Sequence, residues 1–376
     1  MTTIATRLKP IVKTERIISI DALRGFDMFW IMGPELGNTF VASLVVLIFG
    51  HLPPAVHFQL EHRYARFGAW DMIMPLFLFI AGVSLPFSIG RRLEGGDSRA
   101  SIYLKVLRRV IILWILGMIS QGNLLQFRLD HLKVYSNTLQ SIAAGYLVAS
   151  IALVELRTVA KQMILCAGLL VSFALIMLYV PWPGGATGSF AQDANLAWWI
   201  DTTIMGRYMD GGGYTWILSS LGFAATVIMG SLAGHVLKSP SPGQRKVLTL
   251  IGAGLASLAA GSLASFIVPN VKHLWTSSMV LWAGGWSLLL LAVFYLVIDV
   301  LGYKRWAFPL QVIGANAIVA YMAEKLFGIE HMCRNLFGGL CSHFGPAHEF
   351  ILTCLSILLL WSALYYLYRN RTFVRI

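Results

Sequence analysis

The chain has 376 residues, of which 57% are apolar and 12% are charged, and its formal net charge is +12. Charged residues make up about a quarter of an ordinary soluble domain, so the composition excludes that class. The mean hydropathy of +0.71 is typical of a membrane protein that crosses the bilayer several times. We attribute the positive charge to membrane topology and expect no nucleic acid as a partner.

Apolar segments long enough to cross a bilayer recur along the whole chain. A helix needs about 20 apolar residues to span the hydrocarbon, and it satisfies its own backbone hydrogen bonds there. Ten segments meet this condition: 26–49, 70–90, 106–122, 138–156, 162–182, 214–237, 247–268, 277–299, 307–327 and 349–368. The sequence therefore predicts an all-α, polytopic integral membrane protein with about ten transmembrane helices.

Lysine and arginine are distributed unevenly between alternate loops. If the N-terminus lies inside, the inner segments hold 21 of the 29 basic residues and the outer segments hold seven, with Lys325 at the outer end of a span. Cytoplasmic loops retain positive charge, so we expect both termini in the cytoplasm. The inner loops should also attract anionic membrane lipid.

The first two predicted spans contain ionisable residues where hydrocarbon is expected. Asp27 and Glu35 lie within the first apolar run, and Asp71 lies at the edge of the second. Each such group costs about 2.5 kcal/mol or more to insert, so it indicates a functional site by default. The Gly-Pro pair at 33–34 should open the first helix, which favours either a polar cavity beside it or a network of hydrogen bonds without a ligand.

Charged residues also cluster at the inner ends of the predicted spans. Asp21 and Arg24 are three residues apart and share a helix face, where they either anchor the helix end as an ion pair or take part in binding. The densest basic patch comprises Arg91, Arg92, Arg99, Lys105, Arg108 and Arg109. Such a patch could hold phosphates, although the positive-inside bias explains it as well.

Two predicted outer loops contain residues that could bind ligands. Loop 183–213 interleaves glycine, proline and aromatic residues with acids that include Asp201. This mixture would suit a sugar-binding platform, and it would equally suit a membrane interface, where tryptophan and tyrosine concentrate. In the last outer loop Cys333 and Cys341 could form a disulfide. The histidines of that loop match no standard zinc pattern, so we expect no metal.

Several sequence blocks resemble a known family. They are SIDALRGFDMFWIMG at 19–33, DMIMPLFLFIAGVSLPFS at 71–88, GYTWILSSLGFAATVIMGSLAG at 213–234, KHLWTSSMVLWAGGWS at 272–287, IDVLGYKRW at 298–306 and IGANAIVAYM at 313–322. In this order they resemble the bacterial relatives of lysosomal heparan-alpha-glucosaminide N-acetyltransferase, which are transmembrane acetyltransferases. The blocks cover nearly the whole predicted membrane region.

The resemblance implies transfer of an acetyl group from cytosolic acetyl-CoA to the amine of a glucosamine-type sugar outside the bacterial inner membrane. It divides the chain into a cytoplasmic arm (1–25), a transmembrane acetyltransferase domain (26–368) and a cytoplasmic tail (369–376). A homodimer is a further expectation from the family.

The resemblance also implies catalytic residues. The essential histidine of the family matches His62, with His57 as a second candidate, because His62 precedes Asp71 by nine residues where relatives have ten. An imidazole could act as the general base or carry the acetyl group. Asp71 or Glu61 could orient the imidazole, and Asn316 could donate a hydrogen bond to the thioester oxygen.

Two sets of binding residues complete the prediction, of which Lys272 and Trp275 match a family block directly. The phosphates of coenzyme A are expected near Asp21, Arg24, Arg91, Arg92, Arg108, Arg109 and Arg305. The sugar is expected near Glu35, Asn38, Asp201, Lys272 and Trp275. Two alternatives stay open: an O-acyltransferase that acts on a hydroxyl of a periplasmic or cell-wall glycan, and a transporter of sugars or amino sugars, since broken helices with intramembrane carboxylates also mark transport pathways.

Overall fold

The structure is a computed structural model that describes residues 17–32, 36–61, 63–64 and 67–374. It is 74% helical. Within the described ranges the β-structure is one antiparallel hairpin, in which β1 (Phe190–Ala191) pairs with β2 (Ala194–Asn195) so that Phe190 lies opposite Asn195. The prediction of an all-α protein is confirmed.

Sixteen α-helices follow one another in these ranges. They are α1 (Ile18–Ile31), α2 (Leu36–Phe49), α3 (Pro54–Leu60), α4 (Ile73–Val83), α5 (Leu85–Glu94), α6 (Arg99–Ser120), α7 (Thr138–Glu155), α8 (Val159–Tyr179), α9 (Leu196–Met205), α10 (Ser220–Lys238), α11 (Gly243–Ala264), α12 (Ser277–Tyr295), α13 (Phe308–Ala315), α14 (Ala317–Phe327), α15 (Ile329–Cys341) and α16 (His348–Arg369). A 3₁₀ turn, Ala69–Met72, leads into α4, and a π-helical turn, Leu296–Val300, ends α12.

Seven helical segments of the described chain are long and apolar enough to cross a membrane. They are Ala69–Glu94, Thr138–Glu155, Val159–Tyr179, Ser220–Lys238, Gly243–Ala264, Ser277–Val300 and Ile329–Arg369. Each overlaps one predicted span. The chain is therefore a multi-pass membrane protein.

The other three predicted spans differ from single apolar helices. The run 26–49 is divided between α1 and α2, and residues 33–35 lie outside the described ranges. The run 106–122 belongs to α6, which carries four basic residues in its first eleven. The run 307–327 is interrupted at Asn316, whose backbone is not helical (φ −128°, ψ 42°). These three runs stay predictions as membrane spans.

The start of α1 is anchored by a carboxylate from the distant end of α12. Asp299 accepts hydrogen bonds from the backbone N–H of Ile18 (3.1 Å) and of Ser19 (3.0 Å). The first N–H groups of a helix have no partner within the helix, and a negative charge at this end is favourable. Asp299 therefore fixes the helix that carries Asp21, Arg24 and Asp27.

Glycine allows α1 and α13 to pack backbone to backbone. A side chain at Gly25 would overlap the carbonyl oxygen of Leu310, and a side chain at Gly314 would overlap that of Asp21. Small residues at such crossings are typical of membrane helices, which gain stability from close contact. The α1–α13 pair is thereby held at a short distance.

The α4–α10 pair uses the same arrangement at the centre of the bundle. A side chain at Gly82 would overlap the carbonyl oxygen of Val227, and one at Gly230 would overlap that of Phe79. Both helices are largely buried. Since neither backbone can move without disturbing the core, α4 is rigidly placed.

We predict that Gly82→Ala destabilises the protein by about 1–3 kcal/mol, because overpacking a tight core shifts backbone and side chains. Thermal unfolding of the purified protein in detergent measures the effect. Gly168→Ala in α8 is the matched control, since its added methyl group would meet nothing within 4 Å. Equal unfolding midpoints for the two variants would contradict the packing described for α4.

Candidate functional site

A polar cavity of about 510 Å³, here named the Lys272 cavity, lies among α1, α4, α7 and α14. Its polar lining consists of Gln121, Ser136, Asn137, Thr138, Asp210, Tyr214, Trp216, Lys272, Tyr321 and Lys325. Hydroxyl, amide, carboxyl and ammonium groups thus converge on one space beside aromatic rings. Such a mixture can bind a polar molecule of small size.

The charged centre of this region is a buried ion pair. The Lys272 ammonium lies 3.0 Å from Asp71 Oδ1, and the two side chains are 4% and 1% exposed. The other oxygen, Oδ2, accepts a hydrogen bond of 2.9 Å from the backbone N–H of Gly68. Because two buried charges stay ionised only when they are well paired, Asp71 keeps Lys272 charged and holds its ammonium at the cavity wall.

Trp275, which was predicted to contact sugar, instead stabilises the turn that carries Lys272. Its backbone N–H donates to the carbonyl oxygen of Lys272 (2.9 Å), and its indole N–H donates to Thr226 Oγ1 (3.1 Å). The side chain is buried against Phe223 and does not line the Lys272 cavity. Trp275 therefore acts on the cavity by positioning its lysine.

Asp201 is a predicted sugar ligand in loop 183–213, and its side chain binds backbone N–H groups. Its carboxylate accepts hydrogen bonds from the N–H of Trp216 (2.6 Å) and of Ile217 (3.1 Å), and the residue is fully buried. Burial raises the pKa of Asp201 to about 6, although these two hydrogen bonds lower it in part. Its effect on the cavity is to place Trp216 in the lining.

Asp210 is the acid that does line the Lys272 cavity, and it lies in the segment between α9 and α10. Burial raises its pKa, and the ammonium of Lys133 opposes that shift. Lys133 itself donates to the carbonyl oxygen of Met209 (2.6 Å). Asp210 therefore adds an acid to a lining that already holds Lys272 and Lys325.

A second cavity of about 410 Å³, here named the Arg24 cavity, is basic. Asp21, Arg24 and Arg109 line it together with Ser84 and Ser88. Arg24 donates to Ser84 Oγ (2.9 Å) and lies 3.4 Å from Asp21. Two guanidinium groups in one cavity favour an anionic ligand, because guanidinium matches phosphate geometry.

Arg109 has donor capacity that is not used within the described chain. Its guanidinium lies over the ring of Tyr146, 4.3 Å from the ring centre. The Nε atom is buried and has no hydrogen-bond partner among the residues that the structure describes. A buried donor without a partner is costly, and the residue lines the Arg24 cavity, which makes its guanidinium a candidate for binding an anion.

Of the seven residues predicted to bind coenzyme A, the structure brings Asp21, Arg24 and Arg109 to the Arg24 cavity. The other four are exposed and do not line it: Arg91, Arg92, Arg108 and Arg305. Arg92 pairs with Asp97 at 3.7 Å. The predicted basic patch therefore separates into one arginine that faces a cavity and others that face solvent or headgroups.

Asn316, the predicted donor to the thioester, holds the end of the described chain. Its amide nitrogen donates to the carbonyl oxygen of Thr372 (3.2 Å), and its amide oxygen accepts from the N–H of Val374 (3.0 Å). Phe373 and Val374 line the Arg24 cavity. Asn316 thus lies behind the wall of the Arg24 cavity, Asp71 lies behind Lys272 in the wall of the other cavity, and the structure does not bring the two together.

The start of α1 and the end of the described chain lie at the same end of the bundle, since Asp21 and Val374 line one cavity. Whether the two termini themselves share a side of the membrane, and which side that is, stays a prediction.

The Arg24 and Lys272 cavities follow one another along the same helices. On α4, Met74 lines the Lys272 cavity and Phe77 lines the Arg24 cavity, and on α14 the corresponding residues are Tyr321 and Ile318. Three residues correspond to about one helical turn, or roughly 5 Å. The two cavities are therefore separated by about one turn of side chains.

The remaining predicted residues lie apart from these cavities or outside the described ranges. His62 and Glu35 lie outside the described residues. Asn38 donates to the carbonyl oxygen of Leu60 (2.9 Å) and so joins α2 to the end of α3. The alternative base His57 is half exposed on α3, with Nε2 3.0 Å from Glu61.

The predicted site residues did not include His273, which follows Lys272 directly. Its ring packs against Tyr214 of the Lys272 cavity, with 3.9 Å between ring centres, and against Tyr64 at 5.2 Å. Its position beside Lys272 in the KHLW block is the sequence feature that could have identified it. Ser136, Thr138 and Lys325 gave no sequence signal, because single polar residues near span ends are common.

Among the described residues, the cysteines and metal-ligating side chains give no further site. Cys333 and Cys341 are buried with free thiols, so the possible disulfide is not formed. Within the described ranges, no group of three or more His, Cys, Asp or Glu side chains is arranged to hold a metal.

No protein-family model matches the chain, and no curated protein matches it significantly.

We predict that Lys272→Met destabilises the protein by about 3–5 kcal/mol, because it leaves the buried Asp71 carboxylate without its ammonium. The double variant Asp71→Asn/Lys272→Met should recover part of the loss, and thermal unfolding in detergent measures both. Arg128→Ala, which breaks an exposed pair with Asp130, is the control and should leave the midpoint unchanged. If the double variant is no more stable than Lys272→Met, the pairing is contradicted.

We predict that Asp201 makes stability depend on pH. Its pKa of about 6 lies above the ordinary 3.8, so the folded state binds the proton of Asp201 more tightly than the unfolded state does. The resulting stabilisation of the folded state is fully present below about pH 4 and is lost as the pH rises through 6. Relative to Asp201→Asn, the wild type should lose up to about 3 kcal/mol over this range. Unfolding midpoints measured between pH 4 and 7 test the slope, with Asp97→Asn at an exposed carboxylate as the control. Parallel profiles for wild type and Asp201→Asn would refute it.

Proposed function

We propose that the chain is a transmembrane acetyltransferase of the bacterial inner membrane, which moves an acetyl group from cytosolic acetyl-CoA to the amine of a glucosamine-type sugar on the far side. The observation that carries the proposal is the stacking of a basic cavity and a polar cavity along α4 and α14, about one helical turn apart. A group transferred between them would cross the protein without crossing lipid.

The Arg24 cavity suits the donor. Coenzyme A carries phosphates, and Arg24 and Arg109 offer guanidinium donors, of which Arg109 Nε has no partner within the described chain. The acyl end of the donor is a thin, uncharged thioester, so it could pass the layer of side chains around Phe77 and Ile318. The anionic end would stay at the basic mouth.

The Lys272 cavity suits the acceptor. A sugar needs partners for several hydroxyl groups, and Asn137, Asp210 and Tyr214 offer amide, carboxyl and phenol groups. Trp216 adds an aromatic side chain to the wall of this cavity. The cavity volume lies within the range of small-molecule sites.

The chemistry requires one proton acceptor and one stabiliser of negative charge. The sugar amine attacks the thioester carbonyl, a C–N bond forms, the C–S bond breaks, and coenzyme A leaves as a thiolate that takes up a proton. By the resemblance, His62 accepts the proton of the amine or carries the acetyl group. The ammonium of Lys272, held by Asp71, would stabilise the developing oxyanion.

The proposal predicts that Arg109→Gln raises the KM for acetyl-CoA about tenfold or more, because it removes a charge-assisted hydrogen bond to phosphate. Protein in proteoliposomes, with labelled acetyl-CoA at one face and glucosamine at the other, gives the measurement. The neighbouring exposed residue provides the matched control, since Arg108→Gln should change KM little. Equal KM values for the two variants would refute the donor site.

A second comparison tests the reaction centre and separates transfer from transport. Acetyl transfer should be lost in His62→Ala and retained in His57→Ala, as measured by label appearing in the sugar. Sugar flux that needs no acetyl-CoA, with no labelled product, would favour the transporter instead. Labelled product with a glycan hydroxyl but not with glucosamine would favour the O-acyltransferase.

A further inference from the structure

A third cavity, here named the Asp27 cavity, lies on another side of α1. Its volume is about 470 Å³, and its described walls come from α1, α4, α12 and residues 59–60 and 67–72. Aromatic rings dominate the lining: Phe26, Trp30, Phe67, Trp70, Trp282 and Trp286. The cavity shares the wall residues Trp70 and Ile73 with the Lys272 cavity, but it lacks the polar groups of that site.

One carboxylate stands in this aromatic lining. Asp27 is fully buried, and neither of its oxygens has a hydrogen-bond partner among the residues that the structure describes. The described lining contains no lysine, arginine or histidine. A buried carboxylate without a partner is strongly unfavourable, and an acid at membrane depth indicates a function. The proposed acetyl transfer makes no use of Asp27.

The surroundings of Asp27 determine which ligand would suit it. The faces of tryptophan and phenylalanine rings attract ammonium groups, and a carboxylate supplies the full opposite charge at short range. Apart from the amide of Gln59, the rest of the described lining is apolar and favours a hydrocarbon or aromatic body. A sugar would leave its hydroxyl groups without partners here, so the ligand differs from the proposed acetyl acceptor.

The position of Trp286 indicates how such a ligand enters. It lies on α12, which is long and apolar enough to cross the membrane, and it is 43% exposed. At this depth the exposed ring surface faces lipid. We propose that the Asp27 cavity binds a hydrophobic amine from the bilayer, with its single ammonium group paired to Asp27 and its apolar body packed among the rings.

The test compares two probes of equal shape, 3-phenylpropylamine and 3-phenylpropan-1-ol, which differ in charge. Binding to the full chain in lipid nanodiscs is measured by titration calorimetry, with protein-free nanodiscs as the blank. The wild type should bind the amine at least about tenfold more tightly than the alcohol, which corresponds to 1.4 kcal/mol. Asp27→Asn should abolish that preference and leave alcohol binding unchanged.

Two further variants keep the test decisive. Asp130→Asn, at an exposed carboxylate, should bind the amine as the wild type does, which separates the site from general attraction of cations. Trp286→Leu should weaken amine binding several-fold, and it serves where Asp27→Asn fails to fold. Equal affinity of the wild type for amine and alcohol overturns the proposal, as does amine binding that neither Asp27→Asn nor Trp286→Leu changes. Because acetyl-CoA takes no part, failure here leaves the proposed transferase untouched.

Discussion

Polar groups at membrane depth must find partners within the protein, because lipid offers none. In this chain, distant acids meet that requirement and thereby set the helix arrangement. Asp299 binds the first N–H groups of α1, and Asp71 binds the ammonium of Lys272. The partners lie more than 200 residues apart in the sequence, so each bond ties an early helix to the α12 region. The cavities lie between the helices that these bonds hold in place.

The breaks in helices create the space that the cavities occupy. Where α13 ends, Asn316 leaves the helical conformation, and its amide binds the backbone of residues 372 and 374 instead. The neighbouring residues Gly314, Ala315 and Ala317 are small and form part of the Arg24 cavity wall. A continuous helix with larger side chains would fill this volume. The small residues therefore leave space for the cavity, and the Asn316 amide provides hydrogen-bond partners for nearby backbone groups.

The sequence predicted those parts of the fold that depend on local composition. Seven spans were found because the hydropathy of about 20 consecutive residues is a local property. The interruption at Asn316 depends on a partner more than 50 residues away, which no local pattern reveals. Likewise, Arg108 and Arg109 are adjacent in one basic patch, yet successive residues point about 100° apart on a helix. Only the packed structure shows which of them faces the cavity.

The arrangement of the candidate site residues could not be read from the sequence, because residue type does not specify a partner. Trp275 and Asp201 have the chemistry of sugar ligands, but the structure uses them to fix backbone near Lys272 and Trp216. Their contribution to the site is indirect. Lys272 and Asp71 were both predicted as site residues from the sequence, but only the folded structure shows that they form an ion pair.

α1 connects the three cavities, because its residues line all of them. Arg24 lines the basic cavity, Asp27 the aromatic cavity and Ile31 the Lys272 cavity. The helix is fixed at its start by Asp299 and at Gly25 by the tight contact with α13. A ligand that displaced α1 in one cavity would have to break these contacts before it altered the others. The arrangement therefore favours three sites of fixed relative position, in which α1 serves as a rigid common wall.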